Sequence, residues 1–306
     1  MRRLLYPFWN AEERRLRALV RIALQALLFS VPAGLIQLAF VLARPFVGEG
    51  WATHAGLFLA STVWVIGATY LACRFLDRRP LAALGLRIDA RWAIDAAFGF
   101  ALGVLLMVAI SAAERATGWA RYEAPSEAPS LALILTSFVV FVGVAVIEEL
   151  LFRGYQLVNL SDGLRGRRLG PAAAVIGATL ISSAVFGLAH AANPNASPIA
   201  TLNITLAGLM LAAGFLLTGE LGISIGLHLS WNWAQNLLDM PVSGQRQFGY
   251  AAVVTRIEDG PDWITGGAFG PEAGVTGAVA MLVGTLIIVA YARALEGRVR
   301  VHPSLR

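Results

Sequence analysis

The chain has 306 residues, 57% of them hydrophobic and 14% charged, with a mean hydropathy of +0.67. That composition excludes an ordinary soluble domain and reads as a polytopic membrane protein. The formal charge is +5 and every basic residue is an arginine, but the arginines gather in short segments between apolar runs. This pattern orients membrane helices and excludes a nucleic-acid-binding domain.

In chain order, Met1 to Arg21 carries Arg2, Arg3, Arg14, Arg15, Arg17 and Arg21, the composition of an interfacial helix on the cytoplasmic side. The first span is expected from about Ile22 to Ala43, too long for a signal sequence, with Pro32 and Gly34 as kink points. The second runs from about Trp51 to Cys73, with Trp51 and His54 as rings at its outer boundary. Cys73 has no partner for an internal disulfide and reads as packing. Arg74, Arg78, Arg79, Arg87 and Arg91 mark an inner connection, whose Leu81 to Leu86 stretch is too short to cross and is expected on the surface.

The third span, about Trp92 to Ala113, holds Asp95 near its inner end as a solvated or paired acid. Its Gly99 and Gly103 have GxxxG spacing, read as close helix packing. Glu114 to Ser130 reads as an external loop. The fourth span begins near Leu131 and is followed by Arg165, Arg167 and Arg168, which return the chain to the inside. Pro171 opens the fifth span, which ends near His190. After a turn-rich break the sixth runs from about Ile199 to Leu217, with Asn203 and Thr205 as interhelical hydrogen-bonding residues. The seventh, about Leu221 to Leu238, carries Gly222, Gly226 and Ser230 as a small stripe. Asp239 to Glu272 is a long loop, a candidate lid or entrance. The last span, about Ala273 to Ala292, precedes an arginine-rich tail.

The expected fold is therefore all-α: a polytopic membrane bundle of about eight transmembrane helices. One domain over residues 22–292 would follow a basic segment, 1–21, and precede a basic cytoplasmic tail, 293–306. The lipid bilayer is the expected partner, both termini lie in the cytoplasm, and the setting is a bacterial inner membrane.

The most expensive stretch to place is Val146 to Tyr155, where Glu148, Glu149 and Arg153 sit in apolar sequence. On a helix Glu149 and Arg153 share a face in the favourable acid-before-base order, whereas Glu148 lies about 100° round and escapes that pairing. A buried ion pair that orders helix packing is the bland reading. Two further pairs at the same spacing change it: Phe186 with His190, closing the fifth span, and His228 with Asn232, inside the seventh. The chemistry this set permits is hydrolysis. A glutamate in a partly dry cavity suits a general base that takes a proton from water, His190 could hold that water, and His228 with Asn232 could stabilise an oxyanion. Alternatively His190, His228 and one glutamate, taken as Glu148, could hold a zinc ion that activates the water. No HExxH helix is present, and the sequence leaves both routes open.

Glu148-Glu149 with Arg153 as EExxxR, Phe186 with His190 as FxxxH, and His228 with Asn232 as HxxxN together resemble the CPBP family of intramembrane proteases, also called the Abi or CAAX-protease-like family. The resemblance covers the fourth to the eighth span, with a catalytic core over about residues 131–292. It implies a multi-helix endopeptidase acting on a peptide or membrane-protein substrate, lipid-modified in the prenyl-protease relatives. It also implies Glu148 as the catalytic carboxylate, His190 as its water partner and His228 with Asn232 as oxyanion stabilisers. Glu149 and Arg153 would support them. The competing readings are a proton-coupled transporter and a catalytically silent scaffold or immunity protein.

A simple ladder of spans would hold Glu148 and His190 roughly 20 Å apart. The fourth helix is therefore expected to continue towards Leu160, so that both residues face one cavity, open towards the cytoplasm or the bilayer.

Overall fold

The computed structural model describes residues 8–11, 13–47, 51–165, 169–246, 251–297 and 299–305. Among them, seven helices are long and apolar enough to cross a membrane. The chain is an integral membrane protein of helical-bundle type.

Helix α1 spans Ala18–Val47 and α2 spans Trp51–Leu71, continued by a π-helical turn over Ala72–Asp77. Leu27, Val31, Leu35, Leu38 and Leu42 of α1 stay exposed, as a lipid-facing surface should. The expected interfacial helix over residues 1–21 is not what the described part forms. Trp9–Asn10 (β1) and Arg15–Leu16 (β2) make a small antiparallel hairpin, and α1 already begins at Ala18. Arg21 is thereby drawn inside, where it pairs with Asp77 instead of facing head groups. The side chains of Trp51 and His54 lie outside the described residues. The Leu81–Leu84 stretch also departs from expectation: it is a 3-10 turn whose Leu84 is fully buried in the core.

Helix α3, Ala90–Ala116, is capped by Asp89, whose side chain accepts from the Trp92 amide. Asp95 is buried and paired, with Arg91 at 3.0 Å and the Tyr291 hydroxyl at 2.7 Å. Strand β3, Ala120–Glu123, pairs antiparallel with β4, Thr255–Glu258, and ties the connection after α3 to the long loop. Ser130 caps α4, Leu131–Glu149, which passes without a break through a π-helical segment, Leu150–Leu157, into α5, Val158–Leu164. The 34-residue run Leu131–Leu164 is about 50 Å long. This is the long fourth helix expected, and it places Glu148 near its middle.

Helix α6 spans Pro171–Ala189, with proline at its first position. Helix α7, Pro198–Thr218, is capped by Ser197, and Asn203 on it bonds to the Gly274 carbonyl at 3.1 Å. Helix α8, Gly222–Leu237, has 16 residues, about 24 Å, short of a hydrocarbon layer of about 30 Å. It accounts for the difference between eight expected spans and seven. Its Ser224, His228, Ser230, Asn232, Gln235 and Asn236 are buried in protein, so α8 lies in the interior of the bundle. Helix α9, Val275–Glu296, closes the bundle.

The two small-residue stripes meet each other. A Cβ added to Gly99 or Gly103 of α3 would run into the Ile223 carbonyl or Ser230 of α8, and one on Gly226 of α8 into the Ala96 carbonyl. These glycines let the two backbones touch, which seats α8 at the centre of the bundle. His228 and Asn232 are held there.

Candidate active site

Glu148, at the end of α4 and near the middle of the Leu131–Leu164 run, projects into a cavity of about 80 Å³, lined also by His190, His228, Asn232 and Phe186. The volume admits a few waters and no peptide. His190 is the residue that ends α6, and its Nδ1 donates to the Phe186 carbonyl at 2.8 Å. A carbonyl can only accept, so the Nε2 of a neutral His190 carries a lone pair. That atom lies 3.9 Å from Glu148 Oε2.

His228 repeats the arrangement. Its Nδ1 lies 2.8 Å from Glu149 Oε1 and its Nε2 lies 3.8 Å from the same Glu148 Oε2. Glu149, fully buried, also takes Arg153 Nη1 at 2.8 Å. Arg153 in turn reaches the Gly208 carbonyl at 3.4 Å and lies over the Phe186 ring at 4.1 Å. The Phe186 ring packs against both imidazoles, with centroids 4.8 Å from His190 and 6.2 Å from His228. Glu149, Arg153 and Phe186 thus form a floor that fixes two imidazoles, while Glu148 Oε2 has no hydrogen-bond partner. Three acceptors converging on one point, a carboxylate and two imidazole lone pairs, call for a proton donor between them, and water supplies one. Asn232, one turn on from His228, lines the same cavity.

The π-helical segment that begins directly after Glu149 carries Arg153. Such wide turns recur at functional sites because they re-aim side chains within an otherwise regular helix.

Residues 130–234 match the model of a protein family described as Type II CAAX prenyl endopeptidase Rce1-like. Over that stretch, about a third of the chain, the sequence is similar to the CPBP/CAAX protease family. The match runs from the cap of α4 into α8 and contains all three motifs, but stops short of α9. At the family level it supports a protease in a membrane. No curated protein and no solved structure matches the chain.

The 239–272 connection supplies Val242, Ser243, Gln245 and Glu272 to the cavity wall. The site therefore lies towards the end of the bundle that bears this connection. The arginine-rich end, with Arg79, Asp162 and Arg165, is at the other end of α6, because α6 runs from Pro171 beside it to Ala189 beside the cavity.

Glu272 was not legible as a site residue, since sequence placed it at the rim of a polar loop. It is 2% exposed, and its oxygens accept from Trp231 Nε1 at 3.3 Å and Gln235 Nε2 at 2.8 Å. Burial pushes its carboxyl up to about 7. The available signal was the register of α8, in which His228, Trp231, Asn232 and Gln235 fall on one face.

Glu148, His190 and His228 have the donor chemistry of a zinc site. Tetrahedral ligands at zinc-bond lengths of 2.0–2.2 Å stand about 3.4 Å apart, closer than the 3.8 and 3.9 Å found here. Among the described residues no three His, Cys, Asp and Glu side chains are spaced to hold a metal ion. The side chains as placed do not fit one.

Proposed function

We propose that the protein is an intramembrane endopeptidase in which Glu148 is the general base. The observation that supports this reading is the unpartnered Glu148 Oε2, faced by the Nε2 atoms of two histidines at 3.8 and 3.9 Å. A water bound among them gives a proton to Glu148 and attacks the scissile carbonyl. The carbonyl oxygen takes up the negative charge beside the Asn232 amide, and His228 joins as a donor once its Nε2 is protonated. The proton held by Glu148 then passes to the leaving amine. Glu149 and Arg153 keep His228 in place and touch no substrate.

The substrate is a peptide or a membrane-protein segment, and the family's description as a prenyl endopeptidase supports a lipid-modified tail. The charge pattern supports a bacterial inner membrane with the arginine-rich end in the cytoplasm. A zinc ion held by His190, His228 and Glu148 is the rival source of water activation and requires these side chains to close by several tenths of an ångström.

The experiment is cleavage of a peptide library by detergent-purified protein, wild type against Glu148→Gln, with the wild type repeated after chelation and zinc restoration. Cleavage lost in the variant and indifferent to chelation is expected. Loss on chelation reversed by zinc would replace the bare glutamate with a metal centre, and undiminished cleavage by Glu148→Gln would remove Glu148 as base.

A further inference from the structure

The arginine-rich end holds a second cavity, remote from Glu148, of about 330 Å³. Its lining carries Arg15, Arg78, Arg79 and Arg165 against Asp77 and Asp162. Each acid already has an arginine partner, Asp77 through Oδ1 alone, its Oδ2 being left without a hydrogen-bond partner. Asp77 is buried against Arg21, and Asp162 receives Arg79 and, at 3.3 Å, Arg15. Arg165 donates only to a neutral acceptor, the Leu305 carbonyl, and Arg78 has no carboxylate partner among the described residues. Positive charge is therefore in excess. Ser161, 3% exposed, also lines the cavity, and its Oγ lacks any hydrogen-bond partner. A buried hydroxyl left open among guanidinium groups suits an anion with several acceptor oxygens.

Beside this cavity lies an apolar groove of about 380 Å³, formed by Leu24, Leu27, Leu28 and Val31 of α1 together with Leu76. The two features share a corner. Leu76 of the groove precedes Asp77 of the polar cavity, and Leu24 of the groove lies one turn beyond Arg21, the partner of Asp77. An occupant of both would be anionic at one end and hydrocarbon at the other. Guanidinium groups recognise phosphate by paired hydrogen bonds, and basic pockets between membrane helices on the positively charged side suit anionic head groups.

We infer that this corner is a binding site for an anionic phospholipid, its phosphate held by Arg78, Arg165 and Ser161 and one acyl chain lying in the α1 groove. The buried Arg21–Asp77 pair forms its floor and joins the two halves. Lipid bound there would clamp α1 and the N-terminal hairpin to the turn after α2, adding to the Arg21–Asp77 pair and the Arg15 hydrogen bond to the Asp77 carbonyl.

The test is a titration of the delipidated full chain in neutral detergent, read by native mass spectrometry, with phosphatidylglycerol, phosphatidylcholine and, separately, inorganic phosphate. Saturable binding of phosphatidylglycerol in preference to phosphatidylcholine is expected. Arg78→Gln and Arg165→Gln should each weaken it about fivefold. Leu28→Trp, which fills the groove and leaves every charge in place, should weaken phosphatidylglycerol as well. The melting temperature of each variant in the lipid-free state, unchanged from wild type, separates lost binding from lost fold. Equal affinity for the two lipids, or phosphatidylglycerol binding untouched in all three variants, would overturn the site. Inorganic phosphate that binds as tightly as the lipid and displaces it would overturn the lipid assignment.

Discussion

Two buried acid–arginine clusters at the 239–272 end of the bundle differ in what their acids leave open. In the first, Glu114 at the end of α3 gives one oxygen to Arg256 at 2.8 Å and the other to the Thr276 hydroxyl at 3.3 Å, and Arg256 also binds Glu258 at 2.9 Å. In the second, Glu149 and Arg153 are as deeply buried, yet beside them Glu148 keeps an oxygen with no partner and a quarter of its side chain open to a cavity. The first cluster is assembled from a helix end and a polar loop, the second from one apolar helix. A cluster whose central carboxylate has both oxygens taken up, as Glu114 has, fastens elements together, here α3, β4 and α9. A cluster with an oxygen left open towards two imidazoles is arranged to act on something that is not yet there.

The comparison can be broken by mutation. Arg256→Ala leaves Glu114 buried without its counter-charge, so unfolding in detergent should show a loss of about 3–5 kcal/mol, with kcat retained in the fraction that stays folded. Arg153→Ala should cost a similar amount and also abolish turnover, because Glu149 would no longer hold His228. Equal retention of kcat in both variants would erase the distinction between the clusters. Asn232→Ala removes one donor to the developing oxyanion, and kcat should fall by about 10²–10³ with KM little changed. A pure KM effect would instead assign Asn232 to substrate binding.

The smallest effect concerns Glu272. Its carboxyl holds a proton to about 7 in the folded chain against 4.5 when unperturbed. The folded state therefore binds that proton more tightly, and stability should decline as pH rises from about 4.5 to about 7 and level off outside that window. Glu272→Gln keeps the Trp231 and Gln235 contacts available and removes the titration. Melting temperature against pH should lose that slope in the variant, and an identical slope in both proteins would show that other groups carry it.

Sequence made the core of this arrangement legible because its parts are local. Spacings of four within one helix gave Glu149 with Arg153, Phe186 with His190 and His228 with Asn232, and the unpaired position of Glu148 followed from helical geometry. The requirement that Glu148 and His190 share a cavity also foretold the long Leu131–Leu164 run. What was not legible depends on contacts remote in the chain. Glu272 reaches the site only because Gly270, Pro271 and the short turns before α9 fold the loop back onto Trp231 and Gln235. Hydrophobicity marked α8 as a span, but its interior place follows from the glycine contacts with α3, and its length of 16 residues became clear only with its caps. Arg21 looked like part of a basic surface because nothing local shows that Asp77 would draw it inwards.

The most direct measurement is a paired one: kcat/KM on a cleaved peptide, and melting temperature in the same detergent, for Glu148→Gln and Glu149→Gln. The account predicts that Glu148→Gln loses turnover by about 10²–10⁴ at an unchanged melting temperature, whereas Glu149→Gln loses both, since Arg153 and His228 depend on its charge. Equal loss of melting temperature in the two variants, or full turnover in Glu148→Gln, would contradict the division of labour between these adjacent glutamates.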